Sequence, residues 1–362
     1  MYDIIYPKTD VPAPPRRRAG SAGIPPACRA PGVFRGIAGT RNNSGVVAMN
    51  TNRRIRVLTV SSANMDFVMN VSRIPEAGET LSEPGGYAFI PGGKGANSAV
   101  AFRRLGGDSV FCTRLGSDAN GAALLSVYRS EGIDTRFIVT DPKEPTGLAA
   151  IMVEPNGQNR ITVFPGANLA ITEKDISSAL LCRPEALFMQ LEVSTETVLA
   201  GARLAAERGI PVFLDAGPAR PNFPLEELPP LEVFSPNETE TEIFSGIRPK
   251  DPDSCLRAVL RLSERVKAKY YVLKLGGRGC YICDGKYYSC LPTYDMPVVD
   301  TTAAGDAFTA GLTLEYMRSG NMVRAGKYAN AVGSLAVGVK GALPSIPTEA
   351  AVDRFIEENG VL

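Results

Sequence analysis

The sequence predicts an α/β protein: a mostly parallel sheet flanked by helices, with four short strands set apart as a smaller second sheet. From Ile55 onward, short apolar runs alternate with loops and helical segments, which is the rhythm of βα units. The runs are near-continuously apolar, as in IRVLTVSS (55–62), which marks strands buried on both faces. Four pieces fall outside the rhythm: FVMNV (67–71), YAFIP (87–91), GLAAIMV (147–153) and RITVF (160–164). The last two are joined by Glu-Pro-Asn-Gly-Gln-Asn and read as a hairpin.

Residues 1–54 are rich in Pro, Arg, Gly and Ala and contain only Asp3 and Asp10 as acidic residues. Such a stretch is expected to be disordered. Its Arg-rich, acid-poor character admits a targeting peptide, but Ser is sparse and prolines break amphipathic spacing. The simpler expectation is that Met49 is the true start, so that 1–54 are a disordered or non-native extension and the folded domain is 55–362.

Asn64 and Asp66 follow the first strand. GGKGAN (92–97) then opens a helix from Ala96 to Leu105, where Gly92 and Gly93 permit close backbone approach to a ligand. The motif is not GxxxxGK[ST], so the ordinary P-loop reading fails; Lys94 and Asn97 are left to hold hydroxyls, with a solvated Lys94 as the alternative. A strand at 109–116, a helix at Asn120–Arg129 and the hairpin come next. Strands follow at 186–191, ending at Glu192, at 211–215, at 231–235, leading to Asn237, and at 270–275, ending at Gly276 and Gly277, with a helix at 195–208. Tyr294–Val299 is a short extended run broken by Pro297. Then DTTAAGDAFTAG (300–311) passes from a polar turn into a helix starting near Gly305 and Asp306. Small Ala303, Ala304 and Gly305 leave the first-turn N–H groups bare at the positive end of the helix dipole, an anion cradle. Read locally, Asp306 is either an N-terminal capping residue or a chemical group.

Lys+Arg 39 against Asp+Glu 38 points to neither nucleic acid nor a membrane surface, and a small-molecule ligand is expected. There is no histidine, which excludes imidazole bases and HExxH zinc sites. Seven scattered cysteines and no secretory apolar segment predict reduced thiols in the cytoplasm. Cys280, Cys283 and Cys290 lack the further ligands of a zinc set. No run of about 18 apolar residues is present to span a membrane. Asp66, Glu192, Asn237, Gly276 and Asp306 each follow a predicted strand end or its turn, the edge at which open α/β sheets bind ligands. Five on one edge predict a catalytic cleft.

Six segments, NMD (64–66), PGGKGANSA (91–99), MQLE (189–192), SPNETE (235–240), LGGRG (275–279) and DTTAAGDAFTAG (300–311), together resemble the ribokinases of the PfkB-type carbohydrate kinase family. The resemblance runs in order over about 55–362. It implies a ribokinase-like three-layer sandwich whose four extra strands, within about 66–91 and 146–165, form a lid. It also implies a homodimer interlocked through those lids and ATP-dependent phosphorylation of D-ribose at its 5-hydroxyl. Asp306 matches the general base, and the amides of Ala304, Gly305 and Asp306 match the anion hole. Asn64, Asp66, Gly92, Gly93, Lys94, Asn97 and Glu192 match the sugar-binding set. Asn237 and Glu240 match a motif acting on Mg2+ and phosphate, with a helix cap and a surface glutamate as the plain alternative. Lys274, Gly276, Gly277, Arg278, Gly279, Gly305 and Asn330 match the nucleotide site. Asp300, Thr302, Ala336, Val339, Gly341 and Ser345 match a K+ site formed mostly by carbonyls.

Two departures stand out: Lys274, where ribokinases favour a small hydroxyl residue, and Thr309, where they often carry Asn. The runner-up is a related kinase for deoxyribose, fructose or adenosine. A nicotinamide-dependent dehydrogenase is disfavoured because no GxGxxG follows the first strand. A silent sugar sensor would have no use for Asp306.

Overall fold

Side-chain alternation along the strands decides the layers. In the computed structural model, which describes residues 54–362, the chain enters through β1 (Arg56–Val60), passes into β2 (Asn64–Asn70) and returns by β3 (Tyr87–Gly92) to α1 (Lys94–Arg104). β4 (Asp108–Gly116), α2 (Ala119–Ser130), β5 (Ile138–Asp141) and the hairpin β6 (Gly147–Val153) and β7 (Asn159–Phe164) follow. The rhythm resumes with α3 (Glu173–Ala179), β8 (Ala186–Met189), α4 (Thr195–Ala206), β9 (Val212–Asp215), β10 (Leu231–Ser235), α5 (Glu238–Ser245), α6 (Pro252–Arg265) and β11 (Ala268–Lys274). β12 (Cys280–Cys283), β13 (Tyr288–Leu291), α7 (Ala304–Ser319), α8 (Met322–Ala336), α9 (Ala342–Ser345) and α10 (Glu349–Asn359) complete it. Except for Arg54, the expected extension over 1–54 lies outside the described residues.

The large sheet has nine strands in the order β13-β12-β11-β10-β9-β8-β1-β4-β5. All neighbours from β11 to β5 are parallel, while β12 and β13 pair antiparallel at one edge. Val57, Phe111, Phe188 and Phe213 point to one face and pack with α1, α7 and α8. Leu58, Leu187, Leu214 and Phe234 point to the other and pack with α3, α4 and α6. Helices on both faces make three layers, as the resemblance implies. Each such aromatic or leucine contributes about 2 kcal/mol by burial. α7 is buried on all sides from Asp306 to Tyr316, the mark of a core helix. Gly311 lets α8 approach, since a Cβ there would stand 3.0 Å from the Val332 side chain.

The second sheet is β3-β2-β6-β7, with β2 and β6 parallel and both flanking pairs antiparallel. It contains the expected hairpin. Several boundaries differ from the sequence reading. β2 begins at Asn64 rather than at residue 67, because Asn64–Asp66 pair with both β3 and β6. Asp66 therefore lies inside a lid strand and not in a loop after β1. β8 stops at Met189, because the Leu191 N–H leaves the ladder for the Gly217 carbonyl. α1 starts at Lys94, two residues early, and Tyr294–Val299 forms no strand. Cys112, Cys182, Cys255, Cys280 and Cys283 are free thiols. Among the described residues no helix is long and apolar enough to cross a membrane.

Candidate active site

The lid and the large sheet meet where β1 hands over to β2 and β3 hands over to α1. Gly92 ends β3 against Asp66, and a Cβ there would run into the Asp66 carboxylate. Gly93 caps α1 with φ +88 and ψ 133, and a Cβ would stand 2.7 Å from the Asn64 nitrogen. This backbone shape, open essentially to glycine alone, turns the Lys94 N–H onto Glu192 Oε2 at 3.0 Å. The Ser62 hydroxyl donates to the same oxygen. Asn64 Oδ1 accepts from Asn168 Nδ2 at 2.7 Å, and Asn168 Oδ1 accepts from the Ala63 N–H at 2.8 Å.

Burial, and then the nearby Glu192, push Asp66 from the ordinary 3.8 up to about 7. Because the native value lies above the unfolded one, the native state favours the protonated carboxyl. The associated stability is present below about 4 and is lost as pH rises through about 7. Ionised, Asp66 becomes a pure acceptor for hydroxyls. A hydroxyl ligand held by Asp66, titrated by calorimetry, is therefore expected to bind about tenfold more tightly at pH 8 than at pH 6, and Asp66→Asn should flatten that rise. A flat profile in the unsubstituted protein would contradict this role.

Asp306 sits in the first turn of α7 and is buried, 6% exposed. It does not cap its own helix, so the plain capping alternative does not describe it. Its Oδ2 accepts from Asn97 Nδ2 at 2.9 Å, its Oδ1 accepts from Gln190 Nε2 at 3.1 Å, and Lys94 Nζ lies 3.9 Å away. Burial raises its pKa even though Lys94 opposes the shift. Asp306 in turn holds the Lys94 ammonium above the ordinary lysine range. Asn97 Oδ1 is buried without a protein partner, an acceptor available to a ligand hydroxyl. Ahead of Asp306, Ala303 takes φ +61. The Ala304 N–H donates to the Thr301 carbonyl at 3.3 Å, while those of Gly305 and Asp306 have no acceptor within the helix.

Along the same edge, Asn237 and Glu240 form a capping box on α5, Glu240 N–H to Asn237 Oδ1 at 2.9 Å and Asn237 N–H to Glu240 Oε2 at 2.7 Å. The cap is real, but Glu240 is no surface residue: it is buried, and burial raises its pKa. Lys274 ends β11, where its N–H donates to the Pro236 carbonyl at 2.9 Å. A tight turn over Gly276, Gly277 and Arg278 follows, closed by the Leu275 N–H on the Gly279 carbonyl at 2.8 Å. The Arg278 guanidinium is spent on Glu238 and the carbonyls of Pro249 and Lys250. Asn330 Nδ2 is spent on the carbonyls of Leu291 and Pro292, both at 3.0 Å. Beyond α7, Asp300 Oδ2 accepts from the Gly341 N–H at 2.8 Å and Oδ1 from the Thr302 N–H at 2.9 Å. Ser345 Oγ lies 3.4 Å from the Thr302 carbonyl. These contacts bring the Asp300–Thr302 and Gly341–Ser345 segments together beside the helix start.

The pfkB family carbohydrate kinase profile matches residues 54–349. The chain belongs to the pfkB carbohydrate kinase family. It is 33% identical over 305 residues to a Haemophilus influenzae ribokinase, covering 83% of this chain and 99% of that one. It is equally identical over 307 residues to a bifunctional ribokinase/ribose-5-phosphate isomerase A of Fructilactobacillus sanfranciscensis, 84% of this chain, and spans 56% of that protein's length. A deoxyribokinase of Salmonella typhimurium is 30% identical, covering 84% of this chain and 99% of that one. An Arabidopsis thaliana ribokinase solved with ribose and ATP superposes with TM-score 0.77 at 28% identity, covering 84% of this chain and 99% of that one.

In this pfkB kinase the candidate site also has neighbours that the motif reading did not single out. Gln190 and Asp215 lie at the carboxyl edge of the sheet and were accessible to the same strand-end rule that marked Glu192. Ser62 lay inside an apolar run. Asn168 sits in a short turn at 166–170, 104 residues from its partner Asn64, and carries no local signal.

Proposed function

We propose that this pfkB kinase transfers the γ-phosphoryl group of ATP to the 5-hydroxyl of D-ribose, giving ribose 5-phosphate. The observation that carries this reading is the buried Asp306 carboxylate, aimed by Asn97 and Gln190 beside the open N–H groups of Gly305 and Asp306. Phosphoryl transfer needs positioning and charge stabilisation more than covalent help. Asp306 takes the proton from the attacking hydroxyl, which its raised pKa favours. The helix-start amides, with Ala304 added if its long bond to Thr301 is released, face the charge that develops on the transferred group. Asn64, Asp66, Gly92, Gly93, Lys94, Asn97 and Glu192 make the sugar floor, where a missing hydroxyl leaves a buried polar group unpaired.

The remaining parts follow from chemistry and resemblance. Mg2+ travelling with ATP would meet Asn237 and Glu240, whose buried carboxylate suits a hard cation, and when bound it neutralises phosphate charge. Gly276, Gly277 and Gly279 offer a bare backbone to the nucleotide, with Asn330 and Arg278 bordering it. A monovalent cation, K+ in this reading, would take the oxygens of Asp300, Thr302, Ala336, Val339, Gly341 and Ser345. Residues 55–362 form the kinase domain, acting in the cytoplasm as a homodimer through the lids. In support of the dimer, the lid carries exposed Tyr87 (67%), Ile161 (54%) and Phe164 (55%), an apolar set that a monomer rarely leaves bare. Light scattering should give twice the chain mass, reduced to one chain by Ile161→Lys. A strict monomer would remove this claim.

The test of the activity is kcat/KM across ribose, 2-deoxyribose, fructose and adenosine in potassium and in sodium buffers. Ribose preference with potassium stimulation is expected. Preference for 2-deoxyribose, as the deoxyribokinase likeness allows, would keep Asp306 and overturn the reading of Asn64, Asp66 and Glu192.

A further inference from the structure

Asn168 is wholly buried, and its side-chain amide is spent on the strand end that carries Asn64. Its Oδ1 accepts from the Ala63 N–H at 2.8 Å, its Nδ2 donates to the Ala63 carbonyl at 3.2 Å, and the same Nδ2 donates to Asn64 Oδ1 at 2.7 Å. A backbone N–H can only donate and a backbone carbonyl can only accept. Ala63 therefore fixes which way the Asn168 amide faces. With its nitrogen turned to Asn64, Asn168 in turn fixes the Asn64 amide, oxygen inward and nitrogen outward.

The turn that holds Asn168 is tied to the lid. It follows β7, its Ala167 N–H donates to the Pro145 carbonyl at 2.8 Å, and a Cβ at Gly166 would run into that carbonyl. At the start of β6, Gly147 leaves the room that the amide pair needs, since a Cβ there would run into both Asn64 Oδ1 and Asn168 Nδ2. Among the described residues Asn64 Nδ2 has no protein acceptor. It is the donor that the pair leaves for a ligand. Asn64 and Asp66 project from the same face of β2, so this donor stands beside a carboxylate that accepts, and a sugar with neighbouring hydroxyls offers one oxygen to each.

We propose that Asn168 is a positioning residue for acceptor selection, holding the Asn64 amide so that Nδ2 donates to one ring hydroxyl of the sugar. This rests on the kinase reading above, in which Asn64 belongs to the sugar floor. Asn168 touches no substrate and acts through Asn64. What it supplies is preorganisation: without it the Asn64 amide turns either way, and binding has to order it. A sugar lacking that hydroxyl leaves the fixed donor unpaired, so discrimination against the deoxy sugar depends on a residue in the turn after the lid hairpin.

The test is calorimetric titration of the full chain with ribose, 2-deoxyribose, 3-deoxyribose and ADP in separate runs, for the parent, N168L, N64A and N64A/N168L. N168L is expected to weaken ribose about tenfold, the worth of one hydrogen bond lost from a buried site, and to leave ADP unchanged. In the N64A background it should add nothing, because the two residues act as a unit. The preference of the parent for ribose over one of the two deoxy sugars should shrink in N168L by the same factor. Unchanged ribose affinity in N168L, an undiminished preference over both deoxy sugars, or equal losses for ribose and ADP would overturn the proposal. So would a loss of ribose affinity in the double variant beyond that of N64A. If N168L does not fold, N168S keeps a hydroxyl on the Ala63 side but is one bond too short to reach Asn64, and the same outcomes decide. Failure of the parent to phosphorylate ribose, 2-deoxyribose, fructose or adenosine would sink the kinase reading separately, since these titrations do not depend on turnover.

Discussion

Asp306→Asn is expected to lower kcat about 10³-fold, the usual worth of a positioned general base, while sugar affinity stays close to that of the parent. Both Asp306 oxygens accept hydrogen bonds from side-chain amides, one from Asn97 and one from Gln190. An asparagine can accept one of them, and Asn97 can turn its unpartnered Oδ1 toward the new amide. The architecture therefore survives the change and the proton acceptor does not. The check is kcat beside a calorimetric sugar titration. Near-parental kcat would remove Asp306 as the base, and loss of sugar binding together with kcat would make it a structural residue.

Gly93→Ala is expected to cost about 3 kcal/mol of stability, because φ +88 with ψ 133 is strained for any side chain and the new Cβ presses on the Asn64 backbone at 2.7 Å. The same change moves the Lys94 N–H off Glu192 and shifts the base of β2, so sugar affinity should fall as well. Urea unfolding reads the first effect and ribose titration the second. An unchanged urea midpoint would show that the turn relaxes freely and that glycine is not required there.

The βα rhythm and the polar strand ends made the large sheet and the edge that gathers the candidate site legible in the sequence, because strands buried on both faces must be apolar and must end where the chain turns to water. The start of α7 was legible too: a run of small residues before an apolar helix leaves amides bare whatever packs around them. What stayed hidden depended on partners far away in the chain. Asn64-Met65-Asp66 looks like a loop, since Asn and Asp disfavour strands, yet pairing on both sides with β3 and β6 makes it one. α1 begins two residues early because Gly93 caps it by backbone shape, with no side-chain signature. For Glu240 the local sequence left a surface glutamate as the plain alternative to its motif role, and only the packed edge shows it buried. The Lys274–Asp215 contact spans 59 positions, so each residue looked unremarkable or anomalous until both were placed.

The most direct measurement is the identity of the product, by phosphorus NMR of the reaction of the full chain with ATP, Mg2+ and D-ribose. The account predicts a sugar monophosphate whose phosphorus couples to two methylene protons, the signature of transfer to the primary 5-hydroxyl, together with ADP. Phosphate on the anomeric carbon would contradict the placement of that hydroxyl against Asp306. ADP and free phosphate without a sugar phosphate would contradict the transfer itself.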